Sequence, residues 1–218
     1  MKILALDAVT EACSAALWID GKTLQRYAVA PREHTRLILP MVDELLQEAD
    51  LRLTDLDLIA FDRGPGSFTG IRITMSVVQG LAFAADRPVL PVSSLAALAR
   101  SAYRVHGASS VLSLIDARMG ELYWGYYHWQ DDHLQLQGEE GVAPLAAIPP
   151  CAGCSVIGSG AAVYAKELRR AGFHQLIGEE RLRYPRADYV AELAAARADR
   201  AAAVEDVQPV YLRNKVTG

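Results

Sequence analysis

The chain has few of the features that announce a function. Only three cysteines occur in 218 residues, Cys13, Cys151 and Cys154, too few for a disulfide framework. Cys151-Ala-Gly-Cys154 is a single Cys-x-x-Cys with no second pair and no histidine nearby. We expect it to be incidental rather than a zinc or redox site. The histidines are His34, His106, His128, His133 and His174, and no two stand four apart on an expected helix. No metal site is therefore expected. A run of about 18 apolar residues is missing, and the N-terminus enters a strand with no leader before it. Together these absences place the chain in the cytoplasm, away from membranes.

Charge is scarce as well. The formal net charge is −4 and the pI about 5.7, so the whole molecule should not be drawn to nucleic acid. The balance is uneven: residues 1–150 carry 12 basic and 18 acidic side chains, and residues 151–218 carry 10 and 8. Half the residues are hydrophobic, and a chain of this length can build one large core or two smaller ones.

What is present is a pattern run through twice. Lys2 to Asp7 and Ala12 to Ile19 read as strands, Asp20-Gly21 as a tight turn, and Lys22 to Val29 as a third strand. A helix follows from Thr35 to Asp50, with Pro40 near its start. Leu56 to Phe61 is a strand, Ile71 to Ala85 a helix, Val89 to Val92 a strand, and Ser93 or Ser94 caps a helix through Tyr103. Ser113-Leu114-Ile115-Asp116-Ala117 then echoes Ala5-Leu6-Asp7-Ala8. Glu121 to Trp129, a turn at Asp131-Asp132 and His133 to Gln137 repeat the meander. A Pro/Gly-rich stretch spans Gly141 to Gly153, and Ser155 to Ile157 is a strand. Ala161 to Ala171 and Ala187 to Ala201 are the last helices. Such a repeat argues for two similar α/β lobes, residues 1–103 and 104–218.

The most distinctive stretch is Gly64-Pro65-Gly66-Ser67-Phe68-Thr69-Gly70, between a strand and a helix. It is not a P-loop, because the second glycine and the lysine are missing. It is not a nucleophile elbow either, because Pro65 and Thr69 stand where the glycines should be. An anion site at the helix N-terminus and a plain turn capped by Ser67 or Thr69 both remain open. The helix behind it is apolar over most of its circumference. Ser76, Gly80 and Ala84 form a row of small residues along which a second helix could approach.

Other candidates are weaker. Asp7 and Thr10 flank a turn where a duplicated-lobe ATPase would hold phosphate and Mg²⁺, but no glycine lets the backbone come close. Gly158-Ser159-Gly160 is a lone Gly-x-Gly that opens a helix, either facing a nucleotide or forming a bare turn. Tyr123, Trp124, Tyr126, Tyr127 and Trp129 crowd one strand, as core or as a stacking surface. Arg169, Arg170, Arg181, Arg183 and Arg186 form a basic region, either a solvated face or a contact for RNA phosphates.

Gly64 to Arg72 closely resembles the signature of the TsaB (YeaZ) family. Asp7-Ala8-Val9-Thr10-Glu11-Ala12-Cys13-Ser14, His34-Thr35, Asp116-Ala117-Arg118 with Glu121-Leu122-Tyr123, and Pro209-Val210-Tyr211-Leu212-Arg213 fit the same pattern. The resemblance implies an α/β, two-lobed actin-like ATPase (ASKHA, ribonuclease-H-like) fold with duplicated lobes. It implies a role in making N6-threonylcarbamoyladenosine on tRNAs that read ANN codons, beside the paralogue TsaD and the small ATPase TsaE. TsaD proteins hold a metal through two helix histidines four apart, which the helix Ile71 to Ala85 lacks. A non-catalytic partner of TsaD is therefore expected, with tRNA reached through the complex. No cofactor should be tightly bound, with ATP or ADP belonging to the interface of the complex.

The resemblance places the partner surface on helices 35–50 and 71–85. The residues expected there are His34, Ile38, Met41, Leu45, Ile71, Arg72, Met75 and Val78. Without TsaD, a homodimer through the same helices is expected, because exposed apolar surface seeks burial. The alternative is an enzyme in its own right, an ATP-dependent transferase or a glycoprotease-like metallopeptidase.

Overall fold

The computed structural model describes residues 1–131 and 133–213. Asp132, half of the expected Asp131-Asp132 turn, lies outside the described residues. The described residues form two compact units, 1–94 with 186–210, and 95–185 with 211–213. The division is not the one expected at 103/104. Most of the helix after Ser94 belongs to the second unit, and residues 186–210 return to the first.

In the first unit, β1 (Lys2–Asp7), β2 (Ala12–Ile19) and β3 (Lys22–Val29) form an antiparallel meander. Beyond β1 lie β4 (Leu58–Asp62) and β5 (Val89–Val92), both parallel to their neighbours. The sheet order is β3-β2-β1-β4-β5. Side chains alternate across a sheet, and that alternation divides its work. Leu4, Leu6, Cys13, Ala15, Leu17, Ile59 and Phe61 pack with α1 (His34–Glu48) and α2 (Phe68–Ala85) in one buried cluster. The alternate positions include the small Ala5, Ala16 and Ala60, all fully buried. There α6 (Ala187–Ala195), itself rich in alanine, packs on β1, β2 and β4. Small residues on both sides allow the backbones to come close.

That last helix explains the division of the chain. Ser14 Oγ on β2 accepts a 2.9 Å bond from the Ala187 N–H at the start of α6. The Arg186 guanidinium pairs with Asp188 and lies over the Tyr27 and Tyr189 rings. Arg186, read from the sequence as part of a basic region, is therefore a clasp holding α6 to the first sheet. The helix ends at Ala195 rather than Ala201. Ala202 then bridges Val89 at the sheet edge.

The second unit repeats the plan. β6 (Ser110–Asp116), β7 (Glu121–Gln130) and β8 (His133–Pro144) are the antiparallel meander, while β9 (Ser155–Ile157) and β10 (Gln175–Leu176) add in parallel. The order, β8-β7-β6-β9-β10, matches that of the first unit strand for strand. This is the duplicated, ribonuclease-H-like α/β topology of the actin-like ATPase fold. The helices here are α3 (Ser94–His106), α4 (Ser159–Val163) and α5 (Ala165–Arg170). The expected helix 161–171 is broken at Tyr164, whose φ of −104° interrupts it.

β8 runs seven residues past the expected Gln137, to Pro144, with a register shift opposite Trp124 and Tyr126. The irregularity admits two extra residues on β8 without ending the pairing. Trp124 and Tyr126 then meet edge to face and pack on the second core. Trp129 stacks on Tyr103 at 4.2 Å beneath the Arg100 guanidinium. Three of the five crowded aromatics, Trp124, Tyr126 and Trp129, thus pack on rings of their own unit. Cys151 and Cys154, expected to be incidental, are joined by a disulfide. Cys13 is free and buried.

Ser14→Ala leaves the buried Ala187 N–H without its acceptor. We expect a loss of about 1–3 kcal/mol in urea unfolding, with the secondary structure retained in circular dichroism.

Candidate functional site

The glycine loop sits where β4 hands over to α2, beside the turn that leaves β1. Ser67 is the N-cap of α2, its Oγ accepting from the Gly70 N–H at 3.3 Å. Of the two capping candidates it is Ser67, not Thr69, because only Ser67 precedes the first turn. The Ser67 N–H donates to the Val9 carbonyl at 2.7 Å. A side chain added at Gly66 would meet the Val9 oxygen at 2.4 Å, and one at Gly70 the Ala8 oxygen at 2.3 Å. The close approach that these glycines permit is therefore backbone on backbone. The loop is wedged against Ala8 and Val9, both fully buried. Gly64, at φ +94°, takes a conformation that favours glycine.

Asp7 and Asp62 end the paired parallel strands β1 and β4, and both are almost completely buried. Asp7 Oδ1 accepts from the Val9 N–H at 3.0 Å. Asp62 Oδ1 accepts from the Gly64 N–H at 2.8 Å and the Ser94 hydroxyl at 2.6 Å. Asp7 Oδ2 meets no N–H or hydroxyl donor. Burial, then the neighbouring Asp62 charge, raise the Asp7 carboxyl well above its ordinary range, against the pull of the Val9 N–H; a hydrogen bond with Asp62 and the Asp188 charge add to the rise. Two acceptor-only carboxylates can bond only if one carries a proton. Burial and the Asp62 charge therefore favour the protonated form of Asp7. Asp7 thus closes the turn onto the glycine loop.

Thr10 caps its own turn, its Oγ1 accepting from the Ala12 N–H at 3.4 Å. Its carbonyl lies 2.8 Å from His34 Nε2. His34, expected on the partner surface, instead ties the start of α1 to the β1–β2 turn, 8% exposed. In the second unit, Gly158 at φ +106° brings the chain onto the Leu114 carbonyl, 2.2 Å from where a Cβ would stand. Gly160 rests on Leu114 and Leu122. Gly158 is the N-cap of the five-residue helix α4, and Ser159 and Gly160 are its first residues. Among the described residues, no three His, Cys, Asp or Glu are placed to hold a metal ion.

The expected partner surface needs correction. Ile38, Met41, Leu45, Ile71, Met75 and Val78 are at most 8% exposed and belong to the first unit's own core. They are the sheet-facing stripe of two amphipathic helices. Of the eight residues expected, only Arg72 is exposed, its guanidinium 3.8 Å over the half-exposed Phe68 ring. The outward face of α2 runs instead through Phe68, Arg72, Ser76, Gly80, Phe83 and Ala84. Phe83 is 86% exposed, and no protein atom lies within 4 Å of the Cβ position at Gly80. The row of small residues legible in the sequence lies on this face. Phe83, the neighbour that makes it sticky, was signalled only by the helical spacing that sets it beside Gly80. By length and composition α2 could also cross a membrane. Packing against the first sheet accounts for its buried stripe.

The folded Asp7 carboxyl keeps its proton at pH values where the unfolded chain has lost it. Its contribution is therefore complete below about pH 4 and falls as pH rises toward the raised folded value. Asp7→Asn keeps the acceptor for Val9 and supplies a permanent donor toward Asp62. The variant is expected to melt above the parent at pH 7–8 and to show a flatter dependence of Tm on pH between about 4 and 8. Equal slopes for the two chains would overturn the raised Asp7 carboxyl.

Known proteins share this architecture and much of its sequence. A family described as TsaD, tRNA N6-adenosine threonylcarbamoyltransferase, matches residues 28–215. A protein of Escherichia coli K12 named tRNA threonylcarbamoyladenosine biosynthesis protein TsaB is 41% identical, over 99% of this chain and 96% of its own. Its namesake in Haemophilus influenzae is 37% identical over 100% and 95%. The solved structure of YeaZ from Pseudomonas aeruginosa superposes with a TM-score of 0.85 at 45% identity, covering 97% of this chain and 99% of that one. With matches running end to end at this identity, the chain belongs to the TsaB (YeaZ) family.

Proposed function

We propose that this chain is a non-catalytic partner subunit of a TsaD-type threonylcarbamoyltransferase, acting in the formation of N6-threonylcarbamoyladenosine on tRNAs that read ANN codons. Its task is to stabilise TsaD and help recruit TsaE, and tRNA is engaged through the complex. ATP or ADP, on this reading, belongs to the interface with TsaD and is not held tightly by the isolated chain. The setting is the cytoplasm, with no membrane partner.

The observation that carries the reading is the outward face of α2. A phenylalanine 86% exposed stands beside a glycine with open space over it, on a helix whose other side is already buried in its own sheet. Covering one such ring is worth about 1.5–3 kcal/mol before the costs of association. Glycine also lets a partner helix come within backbone distance. Leu39, 49% exposed on the neighbouring α1, adds apolar area. A paralogue of the same fold offers a matching helix pair, and so does a second copy of this chain. A homodimer is therefore proposed where TsaD is absent. The names of the relatives, given for threonylcarbamoyladenosine biosynthesis, support the pathway.

Surface and core variants of these helices should separate cleanly. Phe83→Asp and Gly80→Arg point into solvent and should shift stability by no more than about 0.5 kcal/mol, while co-purification with TsaD falls at least tenfold. Both should also turn the isolated dimer into a monomer in sedimentation velocity. Leu45→Asp and Met75→Asp place a charge in the core and should lose the fold itself. Undiminished capture of TsaD by both surface variants would sink the assigned face.

The isolated chain should hydrolyse neither peptide nor ATP. Calorimetry with ATP should give no heat above dilution, and tight nucleotide binding or turnover would revive the enzyme reading.

A further inference from the structure

We propose that the Cys151–Cys154 disulfide is an exchange-active redox site that opens and closes by reaction with a low-molecular-weight thiol of the glutathione class. The bond closes a loop of four residues only. The stabilisation a disulfide gives by limiting the unfolded chain grows with the loop it closes, so this one is poorly placed as a staple. Its two sulfurs are also unequal. Cys151 is half-buried and followed by the exposed Ala152 and Gly153, whereas Cys154 is 4% exposed and built into the second core. An attacking thiolate reaches Cys151 and leaves Cys154 inside.

A cleft adjoins the four-residue loop, lined by Gly153 but by neither cysteine. Gly153, at φ +76°, lines this open cleft of about 300 Å³ together with His106, Ser109, Ser110, Ser155 and Gln175. That volume is at the small end of ligand-sized clefts. Its polar groups are already tied together: His106 Nε2 lies 3.0 Å from Glu179, Ser110 Oγ 3.0 Å from His128 Nδ1, and Ser155 Oγ donates to Gln175 Oε1 at 3.2 Å, a firm polar wall beside the loop. Cys13 provides the contrast within the chain. It is fully buried, and burial, then the Asp7 charge, push its thiol up to about 12, so it forms no thiolate near neutral pH.

The exchange is balanced in two steps. An external thiolate attacks Cys151 Sγ, the Cys151–Cys154 bond breaks, and the electron pair leaves on Cys154 Sγ, which takes a proton. A second external thiolate attacks the external sulfur of the mixed disulfide and releases Cys151 as a thiol. The chain is reduced by two electrons and two small thiols are oxidised to their disulfide. In the reverse direction Cys154, three residues away, resolves the mixed disulfide.

The test uses the full folded chain. The oxidised protein is equilibrated under native conditions with mixtures of reduced and oxidised glutathione, alkylated with iodoacetamide and mapped by mass spectrometry. Cys151 and Cys154 should be alkylated together as the mixture becomes reducing, while Cys13 stays unlabelled until denaturant is added. Cys154→Ser, lacking the resolving thiol, should hold one glutathione on Cys151, and Cys151→Ser should take none on Cys154. Labelling of the native pair only after unfolding would overturn the proposal. So would a folded Cys154→Ser chain that takes up no glutathione.

Discussion

Backbone packed on backbone at the C-terminal edge of the first sheet governs the rest of that unit. Gly66 and Gly70 lie so near the Val9 and Ala8 carbonyls that no side chain fits between them. This contact fixes where α2 begins, and so which of its faces meets the sheet. Asp7 and Asp62 hold the two sides from beneath, accepting from the Val9 and Gly64 N–H groups, and burial beside the Asp62 charge raises the Asp7 carboxyl. His34 adds α1 to the same turn through the Thr10 carbonyl. One junction therefore positions both helices that the function calls on.

The arrangement is what the proposed docking role would ask of this frame. In the places where an ATPase of this fold would bring phosphate to backbone N–H groups, the chain satisfies its own groups. The Val9 N–H goes to Asp7, the Gly70 N–H to Ser67 and the Gly64 N–H to Asp62. Gly158 and Gly160 likewise seat against Leu114. What α2 turns to solvent sets Phe68, Gly80, Phe83 and Ala84 among Arg72, Ser76 and Gln79, without polar groups gathered in a pocket. A face of that kind suits another protein surface better than a small charged ligand.

Much of this was legible in the residues. Two strand meanders, each extended by parallel strands, appeared in order. The glycine string announced an unusual strand-to-helix junction, and Ser76, Gly80 and Ala84 marked a smooth helix flank. The errors have specific physical causes. Ile38, Leu45, Met75 and Val78 looked like surplus apolar area because the sequence does not tell how much of a helix one sheet covers. Tertiary packing puts the whole stripe in the core. The return of residues 186–210 to the first unit depends on Ser14 and Arg186, contacts across some 170 positions that no local pattern reveals.

The sequence by itself determined the duplicated α/β plan, because strand alternation and helical period are local and each recurs within a few residues. It also determined the family, because the glycine string and its companions are specific. Only the tertiary structure decided which helix face is core and which is surface, and that Asp7 meets Asp62. It alone decided that Cys151 closes on Cys154. Each of these depends on distances between groups that the folded backbone brings together, and burial, which sets their chemistry, is a property of the packed whole.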